Sequence, residues 1–283
     1  MKKVVLLIAL SFSILTGFSQ NFEIKQVDIP LNNTVGVPYH IDADVNDYAV
    51  DGFEVDNKGR FYFMGGKRFA SLAIFDGAKQ LFRKTYSEFP PGQLYFWKDC
   101  LYTLDVNKKD LWVLDPINGA ILKKYGHISN QNIDSYLFAD SSLIIQTSSG
   151  DKIKFDQFNL KGQYLKKAPG ESNIPPFLTS QSTGPSQVEF LGEWNGNDVF
   201  WDLIDGPGGG QIQRFWNVDQ NRTVLGTRDI VNKNNIFGKA FFENPQEHRR
   251  VRNGNLYVLA RSRKSNNAVI SIVPLDAFFT KKA

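Results

Sequence analysis

Between Asp51 and the C-terminus one arrangement recurs: an apolar strand, a tight polar turn, an aromatic-rich strand, a second turn and another strand. In its first copy Phe53-Glu54-Val55 runs into the turn Asp56-Asn57-Lys58-Gly59 and then the strand Arg60 to Met64. Leu72 to Phe75, the turn Asp76-Gly77 and the strand Gln80 to Tyr86 complete the copy. The turns carry Gly, Asn or Asp, the residues that reach positive φ with least strain. A four-stranded unit of this kind leaves one sheet face uncovered, so successive copies must bury it against each other. The chain therefore reads as all-β, and as a β-propeller.

Five units can be laid out: Asp51 to Tyr86, Gln93 to Tyr125, Ser135 to Lys167, Gln187 to Ile230 and Arg249 to Leu275. Equivalent turn positions (Gly59, Asp99, Asp140, Gly196, Gly254) step by about 40, 41, 56 and 58 residues. None of these gaps spans two blades of about 40–45 residues. Five blades fit best, and a sixth would have to lie in the strand-poor stretches 32–46 or 168–186. The last unit lacks an outer strand, and Phe22 to Ile29 is a strand without a unit. The expectation is that the N-terminal strand completes the last blade and closes the ring. Helical periodicity is limited to about one turn near Ala277–Thr280.

Ahead of the repeat, Lys2 and Lys3 precede the apolar stretch Val4 to Leu15 and the small and polar Thr16 to Gln20. This is the pattern of a secretory signal peptide over residues 1–20, with the run too short for a membrane span. Residues 21–283 then form a single propeller domain that is secreted, to a periplasm or the extracellular space. Cys100 is the only cysteine, so packing rather than an internal disulfide must hold the domain. The formal charge of +4 falls to about +2 without the leader, which argues against a nucleic-acid partner. Only Glu247 to Arg252 is locally basic, and it reads as a solvated loop or strand edge.

Leu111 to Tyr125 (LWVLDPINGAILKKY) and Phe155 to Lys166 (FDQFNLKGQYLK) carry an Asp-x-x-x-Gly-like strand-turn-strand step. It resembles the repeats of NHL, YVTN and quinoprotein-like propellers, which implies blade geometry and no particular chemistry. A narrower resemblance is to secreted gluconolactonase-like calcium hydrolases. It rests on Asp51-Gly52-Phe53 leading into Asp56 and Gly59, and on Asn195-Gly196 ahead of Val199-Phe200-Trp201-Asp202. Those chains carry Glu and Pro where this one has Asp51 and Phe53. The resemblance implies a Ca²⁺ site and acid/base groups at Asp51, Asn195 and Asp202.

The position of Asp51, after Tyr48-Ala49-Val50, is also similar to that of the base in five-bladed glycosidases. No partner glutamate stands out among Glu54, Glu189 and Glu193, and an aspartate capping the blade entry is the simpler reading. His40, His127 and His248 lie far apart without metal-ligand spacing and read as rim or surface residues. Most aromatic residues should fill the layers between blades. Trp194 and Trp216 flank polar turns and are candidates for stacking on a ligand, with His40 in the loop ahead of unit one.

These features point first to a binding module that holds a small molecule, a glycan or a protein partner on its loop-lined face. A calcium-dependent lactonase-type hydrolase at the central channel is the alternative, and a scaffold domain the third reading.

Overall fold

The structure is a computed structural model that describes residues 24–42, 47–139, 141–149, 152–168, 189–205, 211–221, 223–231, 248–262 and 266–280. The leader expected at Met1–Gln20, most of the 168–186 stretch and the glycine run Gly206 to Gly210 lie outside them. The described strands form five four-stranded antiparallel sheets and one two-stranded hairpin.

The chain enters through β1 (Lys25–Pro30) and the hairpin β2 (His40–Asp42) and β3 (Asp47–Ala49). Blade one follows as β4 (Gly52–Val55), β5 (Phe61–Gly65), β6 (Ser71–Asp76) and β7 (Lys79–Thr85). Blade two is β8 (Tyr95–Trp97), β9 (Cys100–Asp105), β10 (Asp110–Leu114) and β11 (Ile121–Tyr125). Blade three is β12 (Ser135–Ala139), β13 (Ser142–Ser149), β14 (Lys152–Asn159) and β15 (Tyr164–Ala168). Blade four is β16 (Glu189–Trp194), β17 (Asn197–Asp205), β18 (Gln211–Val218) and β19 (Val224–Val231). Blade five is β20 (His248–Arg252), β21 (Asn255–Ser262) and β22 (Asn267–Pro274), and its fourth strand is β1.

The expected closure is therefore present. β1 pairs antiparallel with β22 from Lys25↔Ile272 to Pro30↔Asn267. Pro30, which has no N–H to give, ends this outermost strand, where the lost donor breaks no ladder. The first strand of each blade is innermost, and these strands neighbour one another around the axis: β20 with β4, β4 with β8, β12 with β16, and β16 with β20. Blades two and three are joined by Tyr95 stacked on Phe138, with centroids 5.3 Å apart and planes 1° from parallel.

Turn chemistry explains the regularity. In blade one, Asp56 Oδ1 accepts the N–H groups of Lys58 and Arg60, both at 2.9 Å. Gly59 follows at φ +77° with nothing near its missing side chain. Asp115 and Asn159 do the same for the outer turns of blades two and three. A bulge recurs between the third and fourth strands of blades one to four, at Ile74/Phe75, Val113/Leu114, Gln157/Phe158 and Asn217/Val218.

The core consists of layers between blades. Phe53, Phe61, Phe63 and Phe75 of blade one meet Tyr257, Leu259 and Ile270 of blade five. The opposite face of blade one (Tyr62, Met64, Leu72) packs on Leu94, Phe96 and Trp112 of blade two. A short helix α1 (Leu275–Phe279) buries Leu275 and Phe278 in the layer between blades four and five. At about 1.5–3 kcal/mol for each large apolar side chain fully buried, these layers hold the ring without a disulfide.

Candidate functional site at the channel mouth

An innermost strand has a partner on one side only, so its backbone faces the axis as an open edge. Here β20 covers that edge with side chains. Alternation along His248-Arg249-Arg250-Val251-Arg252 sends residues 248, 250 and 252 one way and 249 and 251 the other. Arg252 donates to the carbonyls of Val55 (3.1 Å) and Phe96 (2.6 Å). Arg250 donates to the Leu94 carbonyl at 3.3 Å. Arg249 turns to blade four, where its guanidinium lies 3.8 Å over the Trp201 ring and donates to Gln213.

The basic segment is a strand edge, as the sequence allowed, but over His248–Arg252 it is withdrawn from solvent and not solvated. Arg249 is 2% and Arg250 7% exposed; Arg249 is buried against Trp201 and Gln213, and Arg250 is buried because two acids converge on it. Glu54, fully buried on β4, accepts from Arg250 Nε at 3.3 Å and from the Phe96 N–H at 3.1 Å. Glu189 accepts from Arg250 at 2.6 Å. Burial works against the charge of Arg250, but Glu54 and Glu189 outweigh it and hold the guanidinium above its usual range. The cavity left beside this network measures about 10 Å³, about the room of one water. The axis is closed.

Above the plug, at the end where the inner strands begin, the site opens. Asp51 sits immediately before β4, and its Oδ2 lies 3.1 Å from His40 Nδ1 on β2, both side chains about a fifth exposed. Burial pushes the Asp51 carboxyl up to about 6 even though His40 pulls it down. His248, at the start of β20, donates from Nε2 to the Val50 carbonyl at 2.7 Å. Burial holds this imidazole below its usual range, so it is neutral at pH 7. Gln93 donates its N–H to the Tyr136 hydroxyl at 2.9 Å, tying blade two to blade three at the same end.

A groove of about 510 Å³ adjoins this mouth and shares His40 as a wall. The β2 side and the Gly66–Phe69 turn face each other across it. They are held together at Gly65, where a Cβ would come within 2.3 Å of the Pro38 carbonyl oxygen.

The sequence candidates divide accordingly. His40 and Asp51 are brought together at the mouth. Asn195 occupies the β16–β17 turn at φ +52°, at the far end of β16, about 20 Å along the strand from Glu189 at ~3.3 Å per residue. Asp202 is buried within blade four, in register with Arg214. Asp51, Asn195 and Asp202 do not form one donor set. Among the described residues no group of three His, Cys, Asp or Glu is placed to hold a metal ion. Trp216 is 3% exposed among Phe200 and Val218, and Trp194 stacks on Phe279 at 5.4 Å.

Sequence reasoning missed Glu54, Glu189, His248 and Arg250 as parts of the axis. The one local signal was two arginines two residues apart behind a histidine, at strand period. The two acidic partners of Arg250 lie 196 and 61 residues away.

No protein-family model matches the chain, and no curated protein matches it. Solved structures do. The catalytic domain of the Coprinopsis cinerea GH62 α-L-arabinofuranosidase is 12% identical over 92% of this chain and 99% of its own, with a TM-score of 0.48. Myxococcus xanthus glutaminyl cyclase is 13% identical over 89% of this chain and 99% of its own, with a TM-score of 0.48. A member of the DUF4221 family from Bacteroides vulgatus is 11% identical over 88% and 97%, with a TM-score of 0.46. At these values no activity passes from them to this chain.

Proposed function

We propose that the protein is a secreted binding module that holds a small polar ligand, such as a glycan, at the mouth above the plugged axis. The observation that carries this reading is the His40–Asp51 pair. Both side chains are about four-fifths withdrawn from solvent, His40 lines an open groove, and the pair sits on the ring above Arg250. Beside an open groove of about 510 Å³ a few polar groups converge, as the few placed polar groups of a small-ligand site do. Ala168, Glu189, Val231 and His248, the described residues at the ends of β15, β16, β19 and β20, lie at this same face.

The test is calorimetric titration of a panel of oligosaccharides into the wild-type chain and the Asp51→Asn and His40→Ala variants. The reading expects at least one ligand whose affinity falls about tenfold or more, roughly 1.4 kcal/mol, in both variants. Equal affinity in wild type and variants would move the site elsewhere.

A hydrolase of lactonase type is the second reading, favoured by one observation: a carboxyl held near 6 is suited to proton transfer close to neutral pH. Its donor set for calcium is not assembled by Asp51, Asn195 and Asp202, so acid–base work would fall to Asp51 with His40. Lactone turnover lost in Asp51→Asn would select this reading over simple binding.

A further inference from the structure

We infer that the groove beside the mouth takes the acidic group of a charged saccharide, a uronate or sulfated sugar, whose ring extends toward His40 and Asp51. The inference rests on the reading of the mouth as a ligand site and names the class of ligand. Three cations line the groove, Lys67, Arg68 and Arg83, and no carboxylate does. Among the described residues none of the three is ion-paired to an acid. Lys67 and Arg68 are exposed on the β5–β6 turn. Arg83 is partly buried, and its guanidinium donates only to the carbonyls of Asn32 (3.2 Å) and Gly36 (2.9 Å). Its charge is therefore oriented by neutral oxygens and left for something else to neutralise, and an anion does that with charge-assisted bonds.

The rest of the lining mixes polar Asn33, Ser71 and Thr85 with Tyr39, Ile41 and Phe69. Phe69 is 43% and Ile41 55% exposed; the Phe69 ring, with Arg68 5.2 Å from its centroid, offers a face for the C–H side of a sugar ring, and Ile41 offers apolar contact. The groove also bears His40 and, behind it, Asp51, groups that exchange hydrogen bonds with hydroxyls and repel a second carboxylate. The groove thus carries three cations and, through His40, borders the acceptor Asp51. That combination fits a ligand with both an anionic group and hydroxyls. A volume of about 510 Å³ suits a ligand of two or three rings.

Titration of trigalacturonate, neutral galactotriose and inorganic sulfate into the full chain at low and high salt tests this. The charged trimer should bind at least about tenfold tighter than the neutral one at low salt, and the advantage should shrink at high salt. Lys67→Glu with Arg68→Glu should abolish the charged trimer's advantage over the neutral one; both residues are exposed, and a melting curve confirms the fold. Equal affinities for the two trimers, or a preference that survives the charge reversal, would overturn the inference. So would sulfate binding as tightly as the trimer, which would make the groove a bare anion site. A neutral sugar that binds, and is lost in Asp51→Asn, while the acid gives no advantage, sinks this inference alone. Failure of every sugar sinks the mouth reading with it.

Discussion

Arg250 and Glu54 meet at 3.3 Å although 196 residues separate them, one on the innermost strand of the last blade and the other on that of the first. Both side chains are withdrawn from water, at 9% and 0% exposure. Removing one partner of a buried pair leaves an uncompensated charge, which costs about 3–5 kcal/mol. Glu54→Ala should lower the free energy of unfolding by that amount in a urea titration. Glu54→Gln, which keeps oxygen for the Phe96 N–H, should lose less. A loss below about 1 kcal/mol in Glu54→Ala would mean that the axis is held by packing alone.

Closure by β1 makes a similar prediction far from the axis. Ile29 is fully buried between blades one and five, and deleting such a side chain to alanine costs about 2–5 kcal/mol. Ile29→Ala should reach that range, whereas Asp28→Ala on the same strand should stay within about 0.5 kcal/mol, as surface changes do. Equal effects from the two substitutions would show that β1 does not seat its apolar face in the ring.

The mouth should give opposing pH signatures. Asp51 titrates near 6 when folded and near 3.8 when unfolded, so the folded chain binds the extra proton between those values. Its contribution is fully present below about pH 4 and is lost as pH rises through 6. His248 behaves in reverse: its folded value is depressed, so the unfolded chain takes the proton first and stability is lost as pH falls below about 6.5. Melting temperatures from pH 4 to 7 should therefore rise more steeply with pH in Asp51→Asn than in wild type. In His248→Gln the slope should shift the other way. Parallel profiles in all three proteins would remove the basis for either assignment.

Blade count and closure were legible because both follow from turn and strand chemistry along the chain. Asp56 and Gly59 announce a turn from within four residues, and a strand without a unit at one terminus matches a unit without a strand at the other. The Asp51 position was legible for the same reason, as the residue that opens a blade. The plug was not. Glu54 sits between Phe53 and Val55 in an apolar run, and nothing in that triplet says that its carboxylate meets an arginine from the last blade. Arg249, Arg250 and Arg252 looked like solvated charge because a lone sequence window shows the cations without their acids. His40 and His248 flank Val50-Asp51 in space, a juxtaposition that exists only after the ring has closed. Trp216 flanks a turn in sequence, yet the sheet turns its ring into the core.

Gly65 offers a last test, one that separates fold from site. A Cβ there would come within 2.3 Å of the Pro38 carbonyl oxygen, so the β2 segment that carries His40 would have to move away from blade one. Overpacking of this kind costs about 1–3 kcal/mol. Gly59→Ala is the control: nothing lies within 4 Å, but φ is +77°, and an alanine there costs about 1 kcal/mol or somewhat more through its backbone alone. Both variants should melt earlier than wild type. Only Gly65→Ala should also weaken binding at the mouth, because only it displaces His40 from Asp51 and widens the groove. Ligand affinity that survives Gly65→Ala unchanged, with the expected loss of stability, would show that the seating of β2 does not set the site.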